Sequence, residues 1–293
     1  MRDFEAEGTD AYRLCTIADG WVERFGQDVL ISFKHQAGRE QLTTEFFSWA
    51  EAIGFNTQRI FQRFLPKRNE EREAAKLILG ESNSSSRTIV TERDLRYEID
   101  FSGGYSMGFF VDQRENRSFV RKATPERMLN CFAYTCSFSV AAAVAGARTV
   151  SVDLSRKSLE RGRQNFALNN LPATAHHFIT DDVFEVLRRL ARKNEKFDLI
   201  VLDPPTFSRS HRGKMFKVQS NFEALLGDAL EVADRDARIL LSTNCATLNQ
   251  RALEVMARFC LKASRRAGTF HSESRPRDFP PASGANNIWL TLR

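Results

Sequence analysis

Asp203-Pro204-Pro205-Thr206-Phe207 is the segment of this sequence that offers the most chemistry. It closes an apolar run, Phe197–Asp203, of the kind a strand shows when both of its faces are covered. The two prolines remove two backbone donors and stiffen the turn. What remains is an acceptor-rich lip, the Asp203 carboxylate with the proline carbonyls beside Pro204, able to hold a planar base by its amino edge. Phe207 is placed to stack on such a base. A rigid turn after a buried strand is the plainer alternative.

Other candidates stand at comparable places. Asp153 ends Thr149–Asp153 about twenty residues after the loop Ala133-Tyr134-Thr135-Cys136-Ser137, the offset of a carboxylate that accepts from a ribose diol. Asp181-Asp182-Val183-Phe184 sets a carboxylate beside apolar neighbours, which suits an adenine amino group and its ring. Capping of the following helix is the alternative for both. The loop after Phe132 lacks Gly-x-Gly-x-x-Gly, which argues against a dinucleotide. A ligand with a carboxylate and no phosphate could still use the N–H groups around Ser137. Cys245, just past the strand-like Arg238–Thr243, is either a nucleophile at the ligand edge or an inert small residue. The run 208–217 contains Arg209, Arg212, Lys214 and Lys217 with no acid, and beside the lip it would meet phosphates. Arg114, Arg117, Arg121, Lys122 and Arg127 form a second basic stretch.

The elements that must position these residues alternate from about residue 127 onward. Strands are expected at Met128–Phe132, Thr149–Asp153, His177–Thr180, Phe197–Asp203 and Arg238–Thr243, with Thr269–Ser274 and Ile288–Leu292 closing the chain. Helices are expected at Ser137–Ala147, Ser155–Leu168 with Ser155 as N-cap, Val183–Lys193, 219–233 and 248–265. Such alternation predicts an α/β fold with a doubly wound parallel sheet. Before it, strands at Tyr12–Thr16, Trp21–Phe25, Asp28–Phe33, Arg59–Phe64, Arg87–Thr91 and Leu95–Phe101, with helices at 40–53 and Arg72–Leu79, predict a small α+β domain over 1–110. The first ten residues read as loose, and the sheet domain occupies 111–293.

The chain has 293 residues, 42% hydrophobic and 27% charged, values of a globular protein rather than a disordered one. No apolar run approaches the length of a membrane span, so no membrane partner is expected. Five cysteines without CxxC spacing argue against a disulfide framework or a metal site and for a reducing, cytoplasmic setting. Residues 1–100 carry a net charge of −4 and residues 101–293 a net +10, so a polyanion would meet the second part.

Gly108-Phe109-Phe110-Val111-Asp112-Gln113-Arg114-Glu115-Asn116-Arg117, Leu129–Thr135, Ser151–Ser155, Asp182-Val183-Phe184 and Asp203–Ser208 together, in this order and spacing, resemble the class I S-adenosylmethionine-dependent methyltransferases related to bacterial 23S rRNA methyltransferases. The resemblance runs from about residue 10 to the end. It implies a Rossmann-like methyltransferase sheet with S-adenosyl-L-methionine as cofactor. It also implies a cofactor site formed by Phe132, Tyr134, Thr135, Ser137, Asp153, Leu154, Asp182, Val183 and Asp203, with Gln113 and Arg117 helping to close it. Asp203 and Pro204 would face the target base, and Phe207, Arg209, Arg212 and Lys214 would meet the RNA, 23S rRNA in particular. The small first domain would help engage RNA, and a homodimer is left open. Cytosine-5 enzymes of this kind need a nucleophile, which would be Cys245; guanine-N7 enzymes need none. Cys136 stands where the family usually has Gly, Ser106-Met107 replaces a usual Lys-Thr, and the PUA-type domain of some members is not found in this sequence. Two other readings follow from these departures: a cofactor-degenerate binding module, and a methyltransferase for a small molecule or protein.

Overall fold

The computed structural model describes the chain apart from residues 67–72, 82–84, 105, 210–214, 246 and 282, and describes Arg209 by its backbone alone. Two compact units form, Met1–Val111 with Pro276–Ala282, and Asp112–Arg275 with Ser283–Arg293.

The first unit contains α1 (Arg2–Ala6), β1 (Ala11–Ile17), β2 (Gly20–Phe25), β3 (Asp28–Phe33), α2 (Gln36–Ile53), β4 (Arg59–Phe64) and β5 (Lys76–Leu79). The five strands pair in the order β1-β2-β3-β4-β5. β3 and β4 run parallel, with α2 as the crossover between them. Helix α2 buries Leu42, Phe46 and Ala50, one residue per turn, against Val22, Val29, Ile31 and Ile60. A hairpin of β6 (Arg87–Glu92) and β7 (Leu95–Asp100) follows. It turns on Arg93 and Asp94, both at positive φ, the two-residue form that matches strand twist. The late segment 276–282 is tied to this unit by Asp278, whose carboxylate accepts from the Arg13 N–H at 2.8 Å.

Two expectations fail in this unit. The N-terminus is a helix, because Phe4 is buried and stacks on Tyr12 at 4.4 Å. Residues 76–79 form a strand on the edge of β4 rather than a helix; Ala74 and Ala75 favour helix locally, and antiparallel pairing overrides that preference.

The second unit contains α3 (Arg114–Lys122), β8 (Arg127–Cys131), α4 (Ser137–Val144), β9 (Arg148–Asp153), α5 (Arg156–Leu168), β10 (His177–Thr180), α6 (Val183–Arg192), β11 (Phe197–Leu202), β12 (Phe207–Arg209), β13 (Met215–Lys217), α7 (Val218–Leu230), β14 (Ala233–Thr243), α8 (Gln250–Ala263), β15 (Gly268–His271) and β16 (Asn286–Leu292). The large sheet has the order β10-β9-β8-β11-β14-β16-β15. Its first five strands are parallel, and β16 is antiparallel to both neighbours. The doubly wound architecture expected from the alternation is therefore present. Leu199–Leu202 are fully buried between helix layers, which explains their unbroken apolar run. Helix α6 points Val183, Val186 and Leu187 into the same core. Strand order reverses between β8 and β11, so the carboxyl ends of these two strands flank the place where such sheets take a ligand. The sequence reading did not anticipate helix α3 or the β12–β13 hairpin.

Cys136, at the N-cap of α4, has φ +61° and no exposed surface. Its thiol fills the room left by Gly162 of α5, where an added Cβ would lie 2.5 Å from the sulfur and 3.1 Å from Cys136 Cβ. Burial pushes this thiol up to about 12, so it stays neutral and is spent on packing. Gly162→Ala should therefore destabilise the protein by about 1–3 kcal/mol through overpacking. In a Cys136→Gly background the same change should be neutral or stabilising by up to about 1 kcal/mol, the helix-propensity gain. Urea unfolding of the four proteins measures the coupling, and additive effects would show that the two residues do not share this space.

Candidate active site

The loop after β8 carries an unusual backbone. Phe132, Tyr134 and Cys136 have φ of +60°, +48° and +61°, so alternate residues are left-handed. Each such non-glycine residue costs about 1–2 kcal/mol, and surrounding bonds hold the arrangement. Ala133 donates to the Val152 carbonyl at 2.9 Å. Asn165 donates to the Thr135 carbonyl at 2.9 Å. Tyr134 N–H donates to Asp153 Oδ2 at 2.8 Å, and Ser155 N–H to Asp153 Oδ1 at 2.8 Å. Burial raises the Asp153 carboxyl, while these two N–H groups lower it. Ser155 caps α5, so Asp153 ties two loops together instead of serving as the cap. Each Asp153 oxygen keeps lone-pair capacity for a further donor. No side chain caps α4, whose first residue is Ser137.

At the tip of β10, Asp181 turns to Arg189 at 3.0 Å. Asp182 caps α6 through Oδ1, which accepts from Phe184 N–H at 2.9 Å. Capping and a ligand role are compatible here, since a carboxylate has a second oxygen. Leu154 is half-buried, and Val183 packs into the core. Phe216, on β13, brings a ring against Phe132 at 5.6 Å and Phe184 at 6.1 Å, an apolar wall at the same strand ends.

Asp203 follows β11 directly and accepts from Ser242 Oγ at 2.5 Å. Burial pushes its carboxyl up to about 6; the Ser242 hydroxyl opposes this, the Asp112 carboxylate adds to it, and the Arg117 guanidinium opposes it. Pro204 is buried and Pro205 exposed, so the lip presents its outer half to solvent. Phe207 is 51% exposed, at the start of the hairpin. Gln113 and Arg117 are only 3% and 2% exposed. Gln113 spends its amide on Ser242, Asn287 and Asn116. Arg114 is buried as well, so the second basic stretch is not a continuous exposed patch.

Cys245 lies two residues past β14, 5% exposed and packed against the core of the second unit. Its sulfur is 3.2 Å from Thr247 Oγ1, to which Gln219 also donates. Burial alone would raise this thiol; hydrogen bonds from the Thr247 hydroxyl and N–H, the Leu248 N–H and the Gln219 amide outweigh it and lower it. Cys15, Cys131, Cys136 and Cys260 all move upward. Arg212 and Lys214 lie outside the described residues, as does the side chain of Arg209.

The sequence reading gave no site role to Phe216, Gln219 or Asn116, which it met only within family-like or basic segments, and passed over Thr247 and Trp289. Phe216 carried a usable signal, an apolar residue between Lys217 and Met215 in a basic run. The donor set as a whole suits S-adenosylmethionine: carboxylates for a diol and an amino group, aromatic rings for a base, an uncapped helix start for a carboxylate, and no glycine cradle for phosphate.

Residues 28–281 match the family of S-adenosylmethionine-dependent methyltransferases. The ribosomal RNA large subunit methyltransferase I of Aeromonas salmonicida is 32% identical over 286 residues, covering 94% of this chain and 71% of that protein. The enzyme of the same name from Tolumonas auensis is 31% identical over 269 residues, covering 89% and 67%. A crystal structure of a methyltransferase complexed with SAH superposes with a TM-score of 0.83 at 23% identity, over 100% of this chain and 78% of that one. A methyltransferase from Streptococcus mutans gives a TM-score of 0.80 at 24% identity, over 98% and 75%. By the extent of the family match and the identity to these relatives, this chain belongs to the S-adenosylmethionine-dependent methyltransferases.

Proposed function

We propose that this enzyme methylates carbon 5 of a cytosine in large-subunit ribosomal RNA. The carrying observation is Cys245, lowered by its hydrogen bonds where the other four thiols are raised. The names of the relatives support the RNA class, and the net +10 of residues 101–293 supports a polyanionic substrate.

In this reading Tyr134, Thr135 and Ser137 hold the methionine part, Asp153 and Leu154 the ribose, and Asp182 and Val183 the adenine, with Phe132 beside the ring. S-adenosylmethionine, when bound, supplies an electrophilic sulfonium methyl. Carbon 5 of cytosine is a poor methyl acceptor until a nucleophile adds to carbon 6. Cys245, as thiolate, forms that carbon–sulfur bond and pushes density onto carbon 5. Asp203 accepts from the amino group or, when protonated, hands its proton to the adjacent ring nitrogen, which draws density from carbon 6. Once carbon 5 has taken the methyl, its proton passes to solvent, the carbon–sulfur bond breaks, Cys245 leaves as thiolate, and the ring nitrogen returns any proton it received to Asp203. Pro204 keeps the lip rigid, and alignment of this kind is worth roughly 7–11 kcal/mol. Phe207 stacks on the substrate, and the first unit adds RNA contacts.

Nucleoside mass spectrometry of ribosomal RNA from a deletion strain should show loss of 5-methylcytidine. Wild type should restore it, and Cys245→Ala should not. Loss of 7-methylguanosine, restored by Cys245→Ala, would move the reading to guanine.

Replacing Arg209, Arg212 and Lys214 together with alanine should flatten the salt dependence of RNA binding by about 2–3 in the log–log slope. An unchanged slope would remove those residues from the RNA contact.

Asp203 also makes a pH prediction. Its folded value of about 6 exceeds the unfolded 3.8, so the folded state holds the proton more tightly. Stability then falls as pH rises through that window, and the ionised form is a net cost above it. Asp203→Asn should stabilise the protein at pH 8 by up to about 3 kcal/mol and by little at pH 4. Unfolding in urea across pH 4–8 reads the difference; equal stability at both ends would contradict the raised value.

A further inference from the structure

Four hydrogen bonds lead from the interior of the second unit to Asp203. Trp289 Nε1 donates to Asn116 Oδ1 at 2.9 Å. Asn116 Nδ2 donates to Gln113 Oε1 at 2.8 Å. Gln113 Nε2 donates to Ser242 Oγ at 3.0 Å. Ser242 Oγ donates to Asp203 Oδ1 at 2.5 Å. Trp289 and Ser242 have no exposed surface, and Asn116 and Gln113 are 4% and 3% exposed.

The direction of this chain is fixed at its far end. An amide can flip and a hydroxyl can rotate, but an indole N–H can only donate. Trp289 therefore demands the oxygen of Asn116, which leaves the Asn116 amino group to face Gln113. Gln113 must answer with its oxygen and so presents its own amino group to Ser242. The Ser242 oxygen is then an acceptor on that side, and its proton goes to Asp203. Reversal at any link would place two acceptors or two donors face to face in a buried setting. Among the described residues, Asp203 Oδ2 receives no protein donor.

We propose that Gln113, Asn116 and Trp289 are positioning residues that hold the Ser242 hydroxyl as a donor to one oxygen of Asp203 and so aim the other at the reacting base. The part that concerns the base rests on the function proposed above. The polarised chain stands on its own geometry. It gives Gln113 a role through Asp203 in place of direct contact with the cofactor.

The test reads Asp203 directly, without substrate. The full chain is labelled with 13C at the aspartate carboxyl carbons, the Asp203 resonance is assigned by its absence in Asp203→Asn, and the apo protein is titrated. Three uncharged substitutions are compared, Ser242→Ala, Gln113→Met and Trp289→Phe. They leave the other charged groups that act on Asp203, Asp112 and Arg117, in place. Ser242→Ala should raise the Asp203 midpoint by about 1–2 pH units, the worth of a hydrogen bond to a charged group. Gln113→Met and Trp289→Phe should raise it by about half a unit or more. Either change combined with Ser242→Ala should add nothing. A midpoint that moves with Ser242→Ala but stays put with both others would overturn the proposal, as would shifts that simply add. Trp289 also packs on Phe119 at 4.5 Å, so circular dichroism first establishes that each variant is folded, and Gln113→Met carries the test if Trp289→Phe is not. A normal relay in an enzyme that leaves cytosine untouched would fault the substrate reading alone. A silent relay in an active enzyme would fault this inference alone.

Discussion

Between β8 and β11 the chain reverses its direction of travel across the sheet. The connections after these strands leave on opposite sides, and the carboxyl ends between them are where such sheets take a ligand. Several acids and a thiol of the second unit stand at the carboxyl ends of strands on the two sides of that reversal. Asp153 and Asp182 end or follow strands on one side of it. Asp203 and Cys245 do so on the other. The parallel register fixes their level: Leu202 of β11 is opposite Leu241 of β14, which puts Asp203 beside Ser242. A slip of one residue would turn Asp203 into the core and break its bond to the Ser242 hydroxyl.

This arrangement is costly to maintain. Three left-handed non-glycine residues in the β8 loop store strain, and a carboxyl at the β11 tip is held where burial disfavours its charge. The compensating contacts are close by. The Asp153 carboxylate pins the strained loop through Tyr134 N–H. The loop's last strained residue, Cys136, recovers packing by filling the space beside Gly162. A thiol at a glycine position therefore does not imply a blocked pocket, because its side chain is absorbed by a glycine elsewhere.

What could be read from the sequence depended on how local its cause was. Apolar runs that end in an acid placed Asp153 and Asp203 at strand tips, because strand burial and the turn after it are written in consecutive residues. β3, β4 and β10 were legible to the residue for the same reason. Helix α1 was not, since it rests on one buried ring, Phe4, and on a partner in β1. Residues 76–79 misled because Ala74 and Ala75 speak for helix, whereas the pairing with β4 is made across a long connection. The donors behind Asp203 lie further still: Gln113 and Ser242 are 129 positions apart, and Asn116 and Trp289 are 173 apart. No spacing rule brings such residues together. Gln113 was noticed only through family resemblance, and its buried amide faces protein groups instead of an open cleft.

The two ionisable groups at the β11 and β14 tips are shifted in opposite directions. Burial raises Asp203 toward neutrality of pH, and hydrogen bonds bring Cys245 down toward it. A carboxyl and a thiol ordinarily titrate far apart. Here the protein narrows that interval by treating them differently: burial and the Asp112 carboxylate outweigh the Ser242 hydroxyl and Arg117 at Asp203, whereas hydroxyl, amide and N–H donors outweigh burial at Cys245. Neither group acquires this property from its own neighbours in sequence alone. Asp203 takes it from β14, α3 and the turn before α3, and Cys245 from Thr247 and the first turn of α7, so the chemistry depends on the sheet being closed and in register before any substrate arrives.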